Sequence, residues 1–278
     1  SDHVMALLLA WNRRIVLLAG YLVSAAIWGH IVRDLGGPNL PALTSMRLFM
    51  VANLGRYVPG KVWQIAGLAY LAKGEGVSGG VATGAAVLGQ GVALLAASLL
   101  GLGTLFGPTE VWRRFGWMGL VGGVTIAVII IALVTIPSLF WLVVGLWCRL
   151  TRTVPPENQR DERNVGLRWL ALYVINWGIY TTAFWLLYLS FGEWKTFMQV
   201  GPAFAAAYVA GYLVVFAPAG AGIREGFLVV LLQPTMGDES ALVLALLARV
   251  WTTAVELVPA ALFAAIHTRS SSSGQTAT

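Results

Sequence analysis

Charge is scarce in this sequence and cysteine scarcer still. Asp, Glu, Lys and Arg make up 11% of its 278 residues against 58% hydrophobic, and the mean hydropathy is +0.77. A soluble domain of this length cannot hide that much apolar surface, so the composition excludes one and leaves a polytopic membrane protein. The one cysteine, Cys148, excludes a disulfide framework within the chain and a thiolate metal cluster. His3, His30 and His267 lie far apart with no metal-ligand spacing, so they read as interfacial residues and no metal is expected. The glycines make no nucleotide fingerprint, because no strand precedes them, and no cofactor is expected. A formal charge of +6 is spread over short loops and span ends instead of a stripe, which points to anionic lipid and away from nucleic acid.

Apolar segments are plentiful. A crossing needs about 20 such residues, and by that measure the sequence predicts about six full spans: Ile15 to Val32, Ser78 to Phe106, Trp117 to Trp147, Leu167 to Ser190, Thr196 to Ala217 and Ala241 to Ile266. Pro137 should kink the third. The fold expected is an all-α membrane helix bundle over residues 1–266, followed by a disordered Ser-rich polar tail at 267–278. The stretch Ser1 to Ala10 is too brief to span and lacks the charged start of a signal peptide, and an upstream segment is expected to have preceded Ser1. Thr151 to Asn164, with Pro155-Pro156, is the longest polar loop and divides the chain into halves. Lys and Arg are richer on the face holding Arg33, Arg47, Lys73, Arg149, Arg152, Arg160, Arg163 and Arg168, which should be cytoplasmic. Gly79, Gly80, Gly84, Gly89, Gly91, Gly101 and Gly103 crowd the second span and should let neighbouring backbones approach.

Two further apolar segments are broken and charged at the break. One reads Asn53-Leu54-Gly55-Arg56-Tyr57-Val58-Pro59-Gly60-Lys61-Val62-Trp63-Gln64, the other Ala217-Pro218-Ala219-Gly220-Ala221-Gly222-Ile223-Arg224-Glu225-Gly226. In hydrocarbon an interrupted helix leaves backbone groups without partners, so it persists only where protein or a watery cavity covers it. Such segments mark binding sites and pathways. Met46 to Ala72 and Gly222 to Gln233 are therefore expected to be re-entrant or broken half-helices whose tips meet inside the bundle. One break in each half suggests an inverted repeat.

The helix breaks are Pro59, Gly60, Pro218, Gly220 and Gly222. Arg56 and Lys61 flank the first break, and Lys61 there and Arg224 at the second put cations where helices begin, an unfavourable place by about 0.3 to 1 kcal/mol unless an anion binds there. Asn53 and Gln64 are available for neutral hydrogen bonds. The competing reading has Arg56 and Lys61 snorkelling to the surface, Glu225 capping a helix start and Arg224 paired with an acid. Arg249 and Glu256, inside the last span, lie on nearly one face about 10 Å apart along the axis. Ionisable residues within a span face the interior and mark a pathway, or here join this span to the second break as an ion-pair network. Gln90 and Asn176, neutral at mid-span, read as hydrogen-bonding glue between helices.

Gly55-Arg56-Tyr57-Val58-Pro59-Gly60-Lys61-Val62-Trp63 resembles the tyrosine, hydrophobic, proline, glycine, lysine segment of the lysylphosphatidylglycerol synthetase/flippase transmembrane family. Pro218-Ala219-Gly220-Ala221-Gly222-Ile223-Arg224-Glu225 resembles its proline, glycine-rich, arginine, glutamate segment, and Arg249 is similar to an arginine of a later span. The resemblance implies a flippase-like domain in a bacterial cytoplasmic membrane. It implies lipid translocation of an anionic or aminoacylated phospholipid, or of a polyprenyl-phosphate or glycolipid, and no enzymatic activity. The soluble aminoacyl-transfer domain of the larger members lies outside this sequence, so synthase activity is not expected of it. Where some members carry an acid and an arginine after the first Pro-Gly, this chain has Lys61, Trp63 and Gln64, which implies a different headgroup. Membrane lipids are the partners implied, together with a glycosyltransferase or lipid synthase.

The residues alone mark an anion site or pathway, and with the resemblance the expected headgroup site is Arg56, Lys61, Gln64, Arg224, Glu225, Arg249, Glu256 and Asn53. Two other functions fit the same residues: a scaffold for a glycosyltransferase, and a membrane enzyme acting on a lipid phosphate with the acids moving protons.

Overall fold

The computed structural model describes residues 2–58, 62–106, 164–191, 196–214 and 217–275, with isolated positions between 121 and 149. Among the described residues there are eight α-helices and no strand: α1 (Asp2–Asp34), α2 (Ala42–Asn53), α3 (Val62–Lys73), α4 (Gly79–Gly101), α5 (Val165–Leu189), α6 (Phe197–Leu213), α7 (Ile223–Met236) and α8 (Asp238–Gln275). The expected third span, Trp117 to Trp147 with Pro137, and the loop Thr151 to Asn164 fall outside the continuously described residues.

Four stretches are long and apolar enough to cross a membrane: Ile15–Asp34, Gly79–Thr104, Val165–Leu189 and Asp238–Phe263. They correspond to four of the expected crossings. The expected crossing Thr196 to Ala217 is shorter than the sequence implies. Its helix α6 stops at Leu213 and Val214 turns extended at φ −82°, ψ 101°, which leaves about 26 Å of helix at 1.5 Å per residue. The break at Pro218 begins to act four residues upstream, because the chain must leave the helix to enter the turn. At the other end of the chain, α8 keeps helical backbone through Gln275, past the start of the polar tail expected from residue 267. Extending an existing helix costs far less than nucleating one.

Helix ends follow local chemistry. At the end of α1, Gly36 takes φ 84°, its N–H donates to the Arg33 carbonyl, and the Gly37 N–H donates to the Val32 carbonyl. This left-handed cap satisfies the last carbonyls, and Pro38 follows it. Gly76 repeats the arrangement after α3, with Val77 bonding back to Ala72, and the Ser78 hydroxyl accepts from the Val81 N–H to start α4.

The bundle is organised around α1, α4, α5 and α6. Helix α5 packs against α1, α4 and α6, while α7 fills the space between α6 and α8. Asp34, buried at the end of α1, accepts from Arg168 Nη2 at 2.7 Å and Trp169 Nε1 at 2.8 Å, which ties α1 to α5 at one end. Phe184 and Phe204 stack at 4.8 Å between α5 and α6. Of the glycines crowding α4, Gly101 shows the close backbone approach that the sequence suggests: a Cβ there would lie 3.1 Å from the Ala206 Cα of α6. Gly91 meets nothing, and Gly89 makes room for the Tyr173 hydroxyl instead. The apolar surface left outside, including Leu242, Val243, Leu246, Leu247, Val250 and Val258 on α8, is what a helix presents to lipid.

Candidate headgroup site between two helix breaks

Both broken segments are broken in the structure, and they meet. After α2 the chain makes a 3-10 turn, Leu54–Tyr57, and Val58 leaves it extended at φ −83°, ψ 133°. Pro59, Gly60 and Lys61 lie outside the described residues, and α3 resumes at Val62. Gly55 faces the start of α3 so closely that a Cβ would stand 2.6 Å from the Gln64 backbone nitrogen. Gln64 Nε2 donates to Asn53 Oδ1 at 2.6 Å, pinning the two arms together. Asn53 and Gln64, expected to offer hydrogen bonds to a ligand, thus use these groups on each other, though both still line the cavity beyond.

The second break is a 3-10 turn at Pro218–Gly220 in which Ala219 adopts φ 49°, ψ 25°, followed by Gly220 at φ 71° and Gly222 at φ 82°. Gly220 needs its missing side chain twice over, since a Cβ would also come within 3.0 Å of the Gly211 carbonyl oxygen. Glu225 Oε2 accepts from the Gly222 N–H at 2.6 Å, capping the start of α7. Arg249 Nη1 reaches across from α8 and donates to the Ala219 carbonyl at 3.0 Å and to Glu225 Oε1 at 3.3 Å. Glu225 and Arg249 therefore brace this break, the ion-pair network that the last span's spacing allowed.

Glu256 turns to the other break. Its carboxylate, 6% exposed, accepts from Arg56 Nη1 at 2.6 Å, from the Tyr57 hydroxyl at 2.6 Å and from the Tyr21 hydroxyl. The two turns, Leu54–Tyr57 and Pro218–Gly220, touch each other. Arg56 does not snorkel outward: its side chain is 19% exposed.

Arg224, in the first turn of α7, differs from the other two arginines. Its guanidinium lies 4.5 Å from the centroid of the Phe204 ring and 5.7 Å from that of Tyr208. Among the described residues it has no carboxylate partner, contrary to the competing reading that paired it with an acid. Ring contacts of this kind contribute about 0.5 to 2 kcal/mol, whereas removing a charge from water costs several. The site has a deficit that an anion would fill.

Two adjoining cavities open here. The smaller, about 50 Å³, is lined by Arg56, Arg224, Arg249 and Glu256 with Tyr57 and Thr253, so three guanidiniums face one carboxylate. Glu225 is in contact with Arg249 but is not part of that lining. The larger, about 90 Å³, shares Arg56, Arg224, Gln64, Tyr208, Tyr212 and Thr252 with the first and continues between α1, α4 and α5. Gln90 and Asn176 line it. Asn176 is indeed glue, donating to Ser24 Oγ at 2.7 Å between α5 and α1, and it faces the cavity as well.

Sequence reasoning passed over the tyrosines. Six of the eight in the chain line these cavities: Tyr21, Tyr57, Tyr173, Tyr180, Tyr208 and Tyr212. Tyr21 and Tyr180 sit in mid-span, where a phenol needs a polar partner and is out of place in an interfacial belt. That position was the available signal.

The arrangement is a positively charged, part-desolvated pocket at two helix breaks, walled by aromatic rings and suited to an anion with hydrogen-bonding substituents. No curated protein and no solved structure matches the chain. A family model does, the Lysylphosphatidylglycerol synthase TM region, over residues 3–260. Broken charged segments and apolar helices thus agree with sequence: the chain belongs to the lysylphosphatidylglycerol synthase transmembrane family, integral membrane proteins whose role concerns membrane lipids.

Proposed function

We propose that the protein is a flippase-like lipid translocase of a bacterial cytoplasmic membrane, and not an enzyme. It holds the phosphate of a lipid headgroup at Arg56, Arg224 and Arg249 while the acyl tails remain in the bilayer. The observation that carries this reading is Arg224, a part-buried guanidinium with ring faces but no carboxylate beside it among the described residues. An anion supplies what the fold withholds.

Glu256 gives the site a second setting. Bound to Arg56 it offsets part of the positive charge of the cavity; a phosphate at the arginines competes with it for Arg56. Translocation requires two states that expose the site to alternate leaflets, and the ligand shifts between them only through differential affinity. Hinges at Gly220 and Gly222, already in conformations open to glycine, are suited to such a change.

The experiment is translocation of fluorescent phosphatidylglycerol by the purified protein alone in phosphatidylcholine vesicles. Arg224→Ala removes charge-assisted hydrogen bonds of about 1.5 to 3 kcal/mol each, so the rate should fall by roughly ten- to hundred-fold. Lys at the same position should rescue in part, because an ammonium lacks the planar fork that grips two phosphate oxygens. Arg33→Ala, at an exposed span end beside His30, should match wild type. Equal rates for Arg224→Ala and wild type would remove Arg224 from the pathway.

A further inference from the structure

The larger cavity is chemically unlike the arginine cavity it adjoins. Beyond the shared Arg56 and Arg224, its lining among the described residues is uncharged, and no carboxylate is present. Two of its lining residues, each 1% exposed, carry a buried polar atom with no partner among the described residues, the Trp28 Nε1 donor and the Asn176 Oδ1 acceptor, and packing closes both atoms off from the cavity in this conformation. Unpaired buried polar atoms are uncommon, and each costs free energy until something meets it.

Chemistry selects what could meet both. An ammonium donates only and a phosphate or carboxylate oxygen accepts only, but a hydroxyl does both. An ammonium would also lie near Arg224, which has no carboxylate partner among the described residues. Aromatic cages do bind cations through their ring faces, yet the faces of Phe204 and Tyr208 at the junction already carry the protein's own Arg224. The volume, about 90 Å³, is several times the ~10–15 Å³ that one water needs, which admits a small polyol once the Trp28 and Asn176 side chains turn toward it.

We infer that the headgroup held at this site is neutral and hydroxyl-bearing beyond its phosphate: the phosphate sits at the arginines and the hydroxyls reach Trp28 and Asn176. This rests on the arginine cavity being a lipid phosphate site, and it departs from what the family's name suggests, since lysylphosphatidylglycerol carries ammonium groups. Headgroup choice then belongs to α1 and α5, and charge recognition to the two breaks.

The test is binding to the detergent-purified full chain by calorimetry, with glycerol 3-phosphate, phosphoethanolamine and inorganic phosphate as probes. Glycerol 3-phosphate should bind roughly ten-fold more tightly than phosphoethanolamine, the return on one or two neutral hydrogen bonds. Trp28→Phe keeps the ring and removes the donor, and should bring that ratio to within about two-fold. Asn176→Asp puts a carboxylate in the chamber and should reverse the ratio in favour of phosphoethanolamine, which loss of packing alone would not do. Equal binding of the two organic phosphates by the wild type, or an unchanged ratio in both variants, overturns the inference. Dihexanoyl phosphatidylglycerol separates it from the lipid reading: tighter binding than glycerol 3-phosphate supports both. Equal affinity gives the site to a soluble polyol phosphate and overturns only the lipid assignment. Inorganic phosphate binding as well as glycerol 3-phosphate leaves the arginines their role and removes that of the larger chamber.

Discussion

Replacing Glu256 with glutamine tests whether its carboxylate is the counter-charge of the first break. The substitution preserves size and one acceptor oxygen, so one of Tyr57 and Tyr21, which donate to different oxygens, keeps its acceptor, while the charge facing Arg56 at 2.6 Å is lost. Breaking a fully buried pair typically costs 3 to 5 kcal/mol, because the remaining ion stays desolvated and uncompensated. Arg56 is 19% exposed and opens onto a polar cavity, so about half of that, roughly 2 kcal/mol, is the expected loss. Arg56→Gln alone should cost a similar amount. The double variant should be nearer to wild type than either single, with a coupling of about 2 kcal/mol in the cycle.

The assay is reversible unfolding in mixed detergent micelles, read by tryptophan fluorescence. Phosphate provides a second readout, since Glu256→Gln leaves three guanidiniums with no acid in the smaller cavity and should bind it more tightly while moving lipid more slowly. A coupling below about 0.5 kcal/mol, the usual scatter of independent sites, would show that Arg56 and Glu256 do not depend on each other. The charge-balance account of the site would then be wrong.

Other outcomes follow from local geometry. Gly220→Ala, at φ 71° and with a Cβ 3.0 Å from the Gly211 carbonyl oxygen, should destabilise by about 1 to 3 kcal/mol in the same unfolding assay, whereas Gly67→Ala, with nothing within 4 Å, should be nearly neutral. Asn53→Ala leaves the Gln64 amide without its 2.6 Å partner and should cost about 1 kcal/mol, with faster hydrogen exchange in α2 and α3. Asp34→Asn weakens the bonds from Arg168 and Trp169; because Arg168 is 46% exposed, the loss should be about 1 kcal/mol, and translocation should be unaffected after matching for folded protein.

Composition alone determined the membrane class, since 58% hydrophobic residues with so little charge leave no soluble solution. The sequence also located the two breaks: proline lacks the N–H and glycine most readily accepts a positive φ, as at Gly220 and Gly222, although Gly89-Gln90-Gly91 stays helical within α4. Charge inside apolar segments likewise marked Arg56, Arg224, Arg249 and Glu256 before any coordinates.

Partnership was decided by the tertiary structure. Arg249 and Glu256 share one face of α8 and looked like members of one cluster, but Arg249 braces the second break and Glu256 binds the first. Seven residues of helix separate them by enough to reach different turns, and only the meeting of the two breaks determines which turn each finds. The aromatic walls were hidden for the same reason. Tyr21, Tyr180 and Tyr208 come from three helices whose spacing in sequence carries no information about a shared cavity. Asn176 read as glue between helices, and its amide does bond Ser24, but only packing left its Oδ1 and the Trp28 Nε1 without a partner among the described residues. Local sequence sets where a helix stops and which face is polar; which polar groups are left unsatisfied is a property of the packed bundle.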